Sequence, residues 1–103
     1  MKNSTLTAAA LASAFTLAIA TAAAYPGQQF AKQATITLTQ ARAIALRAVP
    51  NGKIVAEELE KEPGGSGLRY SFDMKSGGKT REIGIDAKTG KILENALEGK
   101  NPD

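Results

Sequence analysis

The chain has 103 residues, thirteen Lys and Arg against ten Asp and Glu for a net charge of +3, and neither histidine nor cysteine. This composition excludes a Ser-His or Cys-His catalytic dyad, a His/Cys zinc centre and any disulfide. The mild positive balance, with no basic cluster carrying interleaved aromatics, gives no footprint for nucleic acid.

Residues 1–24 read as a secretory signal peptide. Lys2 supplies the positive start, Leu6 to Ala20 is an apolar run, and Ala22-Ala23-Ala24 offers an A-x-A cleavage site before Tyr25. The run is broken by Ser13 and Thr16 and falls short of the roughly 20 apolar residues of a membrane-spanning helix. Cleavage after Ala22 is the near alternative. The expectation is an exported chain, periplasmic or secreted, with no stable membrane insertion once the leader is removed. Without Lys2 the balance is twelve basic against ten acidic residues. A domain of the remaining size buries only about 60% of its unfolded surface, so its core has to be compact.

Residues 25–35 (YPGQQFAKQA, then Thr35) are polar, lack a period and read as a flexible leader, with Phe30 docking loosely. Thr35-Ile36-Thr37-Leu38 is a brief β-prone stretch running into Thr39 as N-cap. From Gln40 to Val49 the period becomes helical, with Ala41, Ile44, Ala45 and Ala48 on one face and Arg42 and Arg47 beside it. Such small residues let a helix approach a sheet closely. Pro50 ends the helix and Asn51-Gly52 turns the chain.

Four strands follow. In Lys53 to Glu62, Val55 and Leu59 share one parity and Glu58, Glu60 and Glu62 the other. Glu57 falls on the apolar parity, which places it at the rim or marks a bulge nearby. After the loop Pro63-Gly64-Gly65-Ser66-Gly67 comes the clearest strand: Leu68, Tyr70, Phe72 and Met74 alternate with Arg69, Ser71, Asp73 and Lys75. Tyr70 and Phe72 are the expected core rings. Parity sets Leu59 against Tyr70 or Phe72 and a glutamate against Arg69. Gly77-Gly78 fits a type I′ hairpin turn that puts Phe72 opposite Ile83 and Tyr70 opposite Ile85. Asp86-Ala87-Lys88-Thr89-Gly90 is a third turn, and Lys91 to Glu94 returns beside Ile85. Residues 96–103 read as a flexible tail. The predicted fold class is α+β, one N-terminal helix packed on a four-stranded antiparallel meander.

Catalytic chemistry has no visible seat. Of the five serines, Ser4 and Ser13 lie in the leader, Ser66 and Ser76 in turns, and Ser71 lacks a base. Glu58, Glu60 and Glu62, with Asp73 nearby, could attract a hard cation, but cation sites draw their oxygens together from loops, so the row reads as a solvated face. The Gly-rich loop 63–67 has no Lys-Ser/Thr after it and no helix, which excludes a phosphate loop. No catalytic, cofactor or metal residue is assigned. The candidate interaction surface is the polar sheet face, Glu58, Glu60, Arg69, Ser71 and Asp73, of mixed charge.

The run Ile36 to Lys53 (ITLTQARAIALRAVPNGK), then Val55 and Glu57-Glu58-Leu59-Glu60, then Tyr70-x-Phe72, then Ile83 to Leu93 (IGIDAKTGKIL) resembles the PepSY domain over Ile36 to Asn95. The resemblance implies a small exported α+β module without catalytic residues, residues 36–95 here. Such modules also occur in the propeptides of thermolysin-like metalloproteases, where restraint of the peptidase has been proposed. It therefore implies a non-enzymatic binding module with an exported or envelope protein, a peptidase among them, as partner. No protease sequence accompanies the likeness in these residues, so inhibition would act in trans. The alternative is a small-ligand or cation-binding envelope protein using the acidic strand face.

Overall fold

The computed structural model describes residues 23–99, so most of the leader, residues 1–22, lies outside the described residues. The elements are a short 3₁₀ helix (Gln28–Gln33), one α-helix, α1 (Leu38–Ala48), and four strands: β1 (Lys53–Lys61), β2 (Leu68–Ser76), β3 (Lys79–Asp86) and β4 (Ile92–Leu97). The strands form one antiparallel sheet in the order β1-β2-β3-β4, and α1 lies across β2 and β3 on one face. The α+β meander expected from parity and turns is the fold observed.

Helix α1 starts two residues before the expected Gln40. The N-cap is Thr37 rather than Thr39: Thr37 Oγ1 accepts from Gln40 N at 3.1 Å, and Gln40 Oε1 accepts from Thr37 N at 2.9 Å. Thr39 has Arg42 three residues on and cannot close such a reciprocal box, whereas Thr37-x-x-Gln40 can. The stretch 35–38 is accordingly no strand. Thr35 N and Ile36 N instead both donate to the Ala87 carbonyl, at 2.9 and 3.0 Å, tying the helix entry to the turn after β3. At the other end Asn51 takes the left-handed conformation (φ 67°), and Gly52 N closes the turn on Val49 O at 2.9 Å.

Packing follows the small-residue face of α1. Ala41 and Ala45 are fully buried against Tyr70, Phe72, Met74, Ile83 and Ile85, with Leu59 from β1. Burying these large side chains, each worth about 1.5–3 kcal/mol, is the main driving term. The Tyr70 hydroxyl reaches the far side of the core and donates to Ile36 O at 2.9 Å. Tyr70 and Phe72 are not the sole core rings, because Tyr25 and Phe30 pack on the cluster from outside. They are carried by residues 25–35, where the aperiodic sequence forms the 3₁₀ helix and lies along β1. Leu59 N donates to Pro26 O at 2.9 Å, and Lys61 Nζ sits 5.0 Å from the Phe30 ring centre.

The β2–β3 register is the expected one, with Phe72 opposite Ile83, Tyr70 opposite Ile85, and Gly77 and Gly78 at φ 58° and 78°. In β1 a bulge between Ile54 and Ala56 turns Val55 outward, and Leu59 lies opposite Tyr70. Past the bulge the ladder is regular, and parity with Leu59 places Glu57 opposite Phe72 on the helix side. There Arg42 of α1 meets it with two hydrogen bonds, Nε to Oε1 at 2.9 Å and Nη2 to Oε2 at 2.7 Å. Strand β4 runs three residues past Glu94, Asn95 lying opposite Ile83 and Leu97 opposite Arg81. Residues 96 and 97, expected in the tail, are therefore strand.

Candidate interaction surface

The sheet face turned away from α1 is built from three cross-strand rows. Glu60 lies opposite Arg69 and Arg69 opposite Asp86; Glu58, Ser71, Gly84 and Glu94 form the second row; Ala56, Asp73, Glu82 and Ala96 form the third. All five residues read from the sequence as an interaction surface thus share this face, but they do not share its exposure. Arg69 and Ser71 are only 7% and 5% exposed.

The cause is Gly84. It sits beside Ser71 on β3, and a Cβ there would meet Arg69 Nη1 at 3.2 Å and Arg69 Cδ at 3.3 Å. The missing side chain leaves a slot, and the Arg69 side chain lies down in it. Its Nη2 donates to Pro63 O at 3.2 Å and its Nη1 to Glu94 Oε1 at 3.4 Å, while Nε has no protein partner. Glu60, opposite Arg69 as parity requires, accepts instead from Ser71 Oγ at 2.7 Å. The face was expected to be of mixed sign. With Arg69 sunk and Ser71 covered, its outer layer is acidic: Glu58, Glu60, Asp73, Glu82 and Glu94, with Glu62 and Glu98 at its ends. Lys53 and Lys75, opposite each other beyond the third row, are its cationic margin.

The carboxylates perturb one another. Hydrogen bonding with Glu60, then burial, raises Glu58 above the ordinary glutamate range. Burial pushes Glu60 up, but the bonds from Ser71, Glu58 and Glu62 hold it below that range on balance. Burial, followed by the charges of Glu94, Asp73 and Glu98, raises Glu82. Between these groups lies a shallow depression whose lining includes Ala56, Glu58, Ser71, Asp73 and Glu82. Asp73, Glu82 and Glu98 each bring one carboxylate oxygen to within 4.8 Å of the others, an arrangement exposed acidic groups often adopt without an ion.

Sequence reasoning missed Glu82, Glu94 and Glu98 because it weighed β1 and β2 alone. The signal for Glu82 was present in the Gly77-Gly78 register, which puts it opposite Asp73.

Among the described residues no helix is long and apolar enough to cross a membrane. No curated protein and no solved structure matches the chain. The family model described as "Peptidase propeptide and YPEB domain", PepSY, matches residues 35–95, which takes in α1 and β1 to β3 whole and most of β4. By that match over more than half of its length, the chain belongs to the PepSY family.

Proposed function

We propose that this chain is a non-catalytic, exported binding module that docks its acidic sheet face on a basic surface of another exported protein. The family's description names peptidases, which makes a peptidase the first class of partner to try. The observation that carries the reading is the segregation of charge. The Arg69 guanidinium is drawn into the Gly84 slot, and the carboxylates of Glu58, Glu60, Asp73, Glu82 and Glu94 are left as the outer layer. A face of one sign steers a partner of the other sign and is screened by salt. The one hydroxyl that meets a carboxylate on this face, Ser71 on Glu60, is covered, Ser71 being 5% exposed.

Capture of exported proteins on the immobilised protein at about 0.05 M and about 0.5 M salt tests this, since the screening length falls severalfold between them. The expected result is retention of a basic partner at low salt only, lost in the triple variant Glu58→Gln/Asp73→Asn/Glu82→Gln. Equal retention by parent and variant would end the reading. Calcium titration by calorimetry is the complementary check. Stoichiometric heat that vanishes in Glu82→Gln would transfer the face to a hard cation held by Asp73, Glu82 and Glu98.

A further inference from the structure

We infer that the outer edge of β4 pairs antiparallel with β4 of a second copy, joining two sheets into one of eight strands. The inference is independent of the acidic-face reading and begins from a difference between the two edges of the sheet. The β1 edge is guarded: Pro26 O takes the Leu59 N–H, the bulge displaces Val55, and Lys53 and Lys61 stand at its ends. These are the devices by which sheets refuse edge pairing. The β4 edge (ILENAL) carries no lysine, no proline and no covering segment among the described residues, and its own register shift, at Leu93, leaves Glu94 to Leu97 regular.

Its free backbone groups follow from the ladder. Glu98 N donates to Thr80 O at 2.8 Å, so Glu98, Ala96 and Glu94 direct their N–H and C=O groups toward β3. Alternate residues in an antiparallel pair point the other way, which turns those of Asn95 and Leu97 outward. No backbone hydrogen bond from outside β3 reaches either residue among the described residues. Ile92 and Leu97 flank this row, 43% and 46% exposed.

Charge discriminates between the registers in which a second copy can pair. With Asn95 opposite Asn95 of the copy, each Asn95 gives its N–H to the other's carbonyl. Glu94 then faces Ala96, so no carboxylate opposes another, and the regular pairing ends at Glu94, because the β3–β4 register shifts at Leu93. Sliding so that Ala96 faces Ala96 still pairs the outward groups but sets Glu94 against Glu98, and like charges directly opposite are destabilising. Of these two registers only the first leaves no carboxylate opposite another. That register lays the two acidic faces side by side, so added salt strengthens the pairing, the reverse of its effect on docking to a basic partner.

Sedimentation equilibrium of the purified protein from about 10 μM to about 1 mM, the range suited to a weak edge contact, provides the test. The mass should climb toward the dimer with concentration, and climb earlier at higher salt. Asn95→Pro removes an outward N–H that β3 does not use and should remain monomeric with unchanged circular dichroism. Leu97→Lys, which guards the same edge without touching the backbone, should do likewise and stands in if the proline variant fails to fold. Ala96→Glu should weaken the dimer and Ala96→Lys tighten it, each by roughly fivefold, because symmetry places residue 96 opposite Glu94 twice. Melting temperatures separate these shifts from the contact of residue 96 with Glu82 in its own chain. A monomer throughout the range, a dimer indifferent to Leu97→Lys, or identical Ala96→Glu and Ala96→Lys dimers would each overturn the inference. A monomer whose β4 captures an added extended peptide would give the edge to a different occupant and overturn it equally.

Discussion

Asp86 shows how one side chain can hold two loops together. It is 2% exposed, and its carboxylate accepts from Ser66 N at 2.8 Å, Ser66 Oγ at 2.7 Å and Lys88 N at 2.8 Å, with Thr89 N at 3.4 Å. The β1–β2 loop and the β3–β4 turn thus meet on one buried anion. Burial pushes its carboxyl up, but the bonds from Ser66, Lys88 and Thr89 outweigh that and hold it below the ordinary aspartate value. A carboxyl depressed in the folded state contributes stability that is full above its unfolded value, about pH 4, and lost as pH falls through the folded value. Asp86→Ala strands the donors of both loops and should cost about 2–3 kcal/mol at pH 7 in urea unfolding. The variant should also lose part of the parent's acid-induced destabilisation below about pH 4. From sequence Asp86 was legible as a turn residue, because Asp-x-x-x-Gly signals a local bond. Its tie to Ser66, twenty positions away, was not, since nothing local marks a serine in a glycine loop as a partner.

The strands were more legible than the segments before them, for a physical reason. A strand pair carries its register in side-chain parity, and the Gly77-Gly78 turn left only one alignment that buried Phe72, Ile83, Tyr70 and Ile85 together. The 3₁₀ helix has no such period. Its place is set by Gly27, which holds φ 86° where an added Cβ would overlap the Leu59 carbonyl, and by Phe30 beneath Lys61. A Pro-Gly pair in a polar run shows none of this, because the determinant is the β1 backbone about thirty residues later. Gly27→Ala should therefore strip the segment from β1 at a cost of about 1 kcal/mol or more. Limited trypsin digestion checks it: cleavage after Lys32 should quicken markedly in the variant while cleavage within the sheet does not. Unchanged cleavage at Lys32 would mean the segment is held by Phe30 alone. The start of α1 slipped by two residues for a related reason. Two threonines compete as caps, and only the reciprocal Gln40 bond decides between them.

Over the whole molecule, a net positive chain presents a negative face. The cations of α1, Arg42 and Arg47, lie on the helix side, and the one arginine of the opposite face is buried between strands. This sorting costs stability, because carboxylates in neighbouring rows repel. Glu82 is the clearest case: half-buried opposite Asp73, it is held above the ordinary glutamate range by burial and by the charges of Glu94, Asp73 and Glu98. A carboxyl raised in the folded state destabilises while ionised, a penalty fully present above its folded value and gone below its unfolded value of about 4.3. Glu82→Gln should then raise the melting temperature at pH 7 and lose that advantage at about pH 3, with added salt shrinking the difference at neutral pH. The same substitution should weaken capture of a basic partner. A residue that improves the fold when removed and the binding when kept is a residue held for its surface, and parallel melting and capture measurements on Glu82→Gln decide it. A variant less stable at pH 7 and unaltered in capture would show instead that Glu82 serves the sheet.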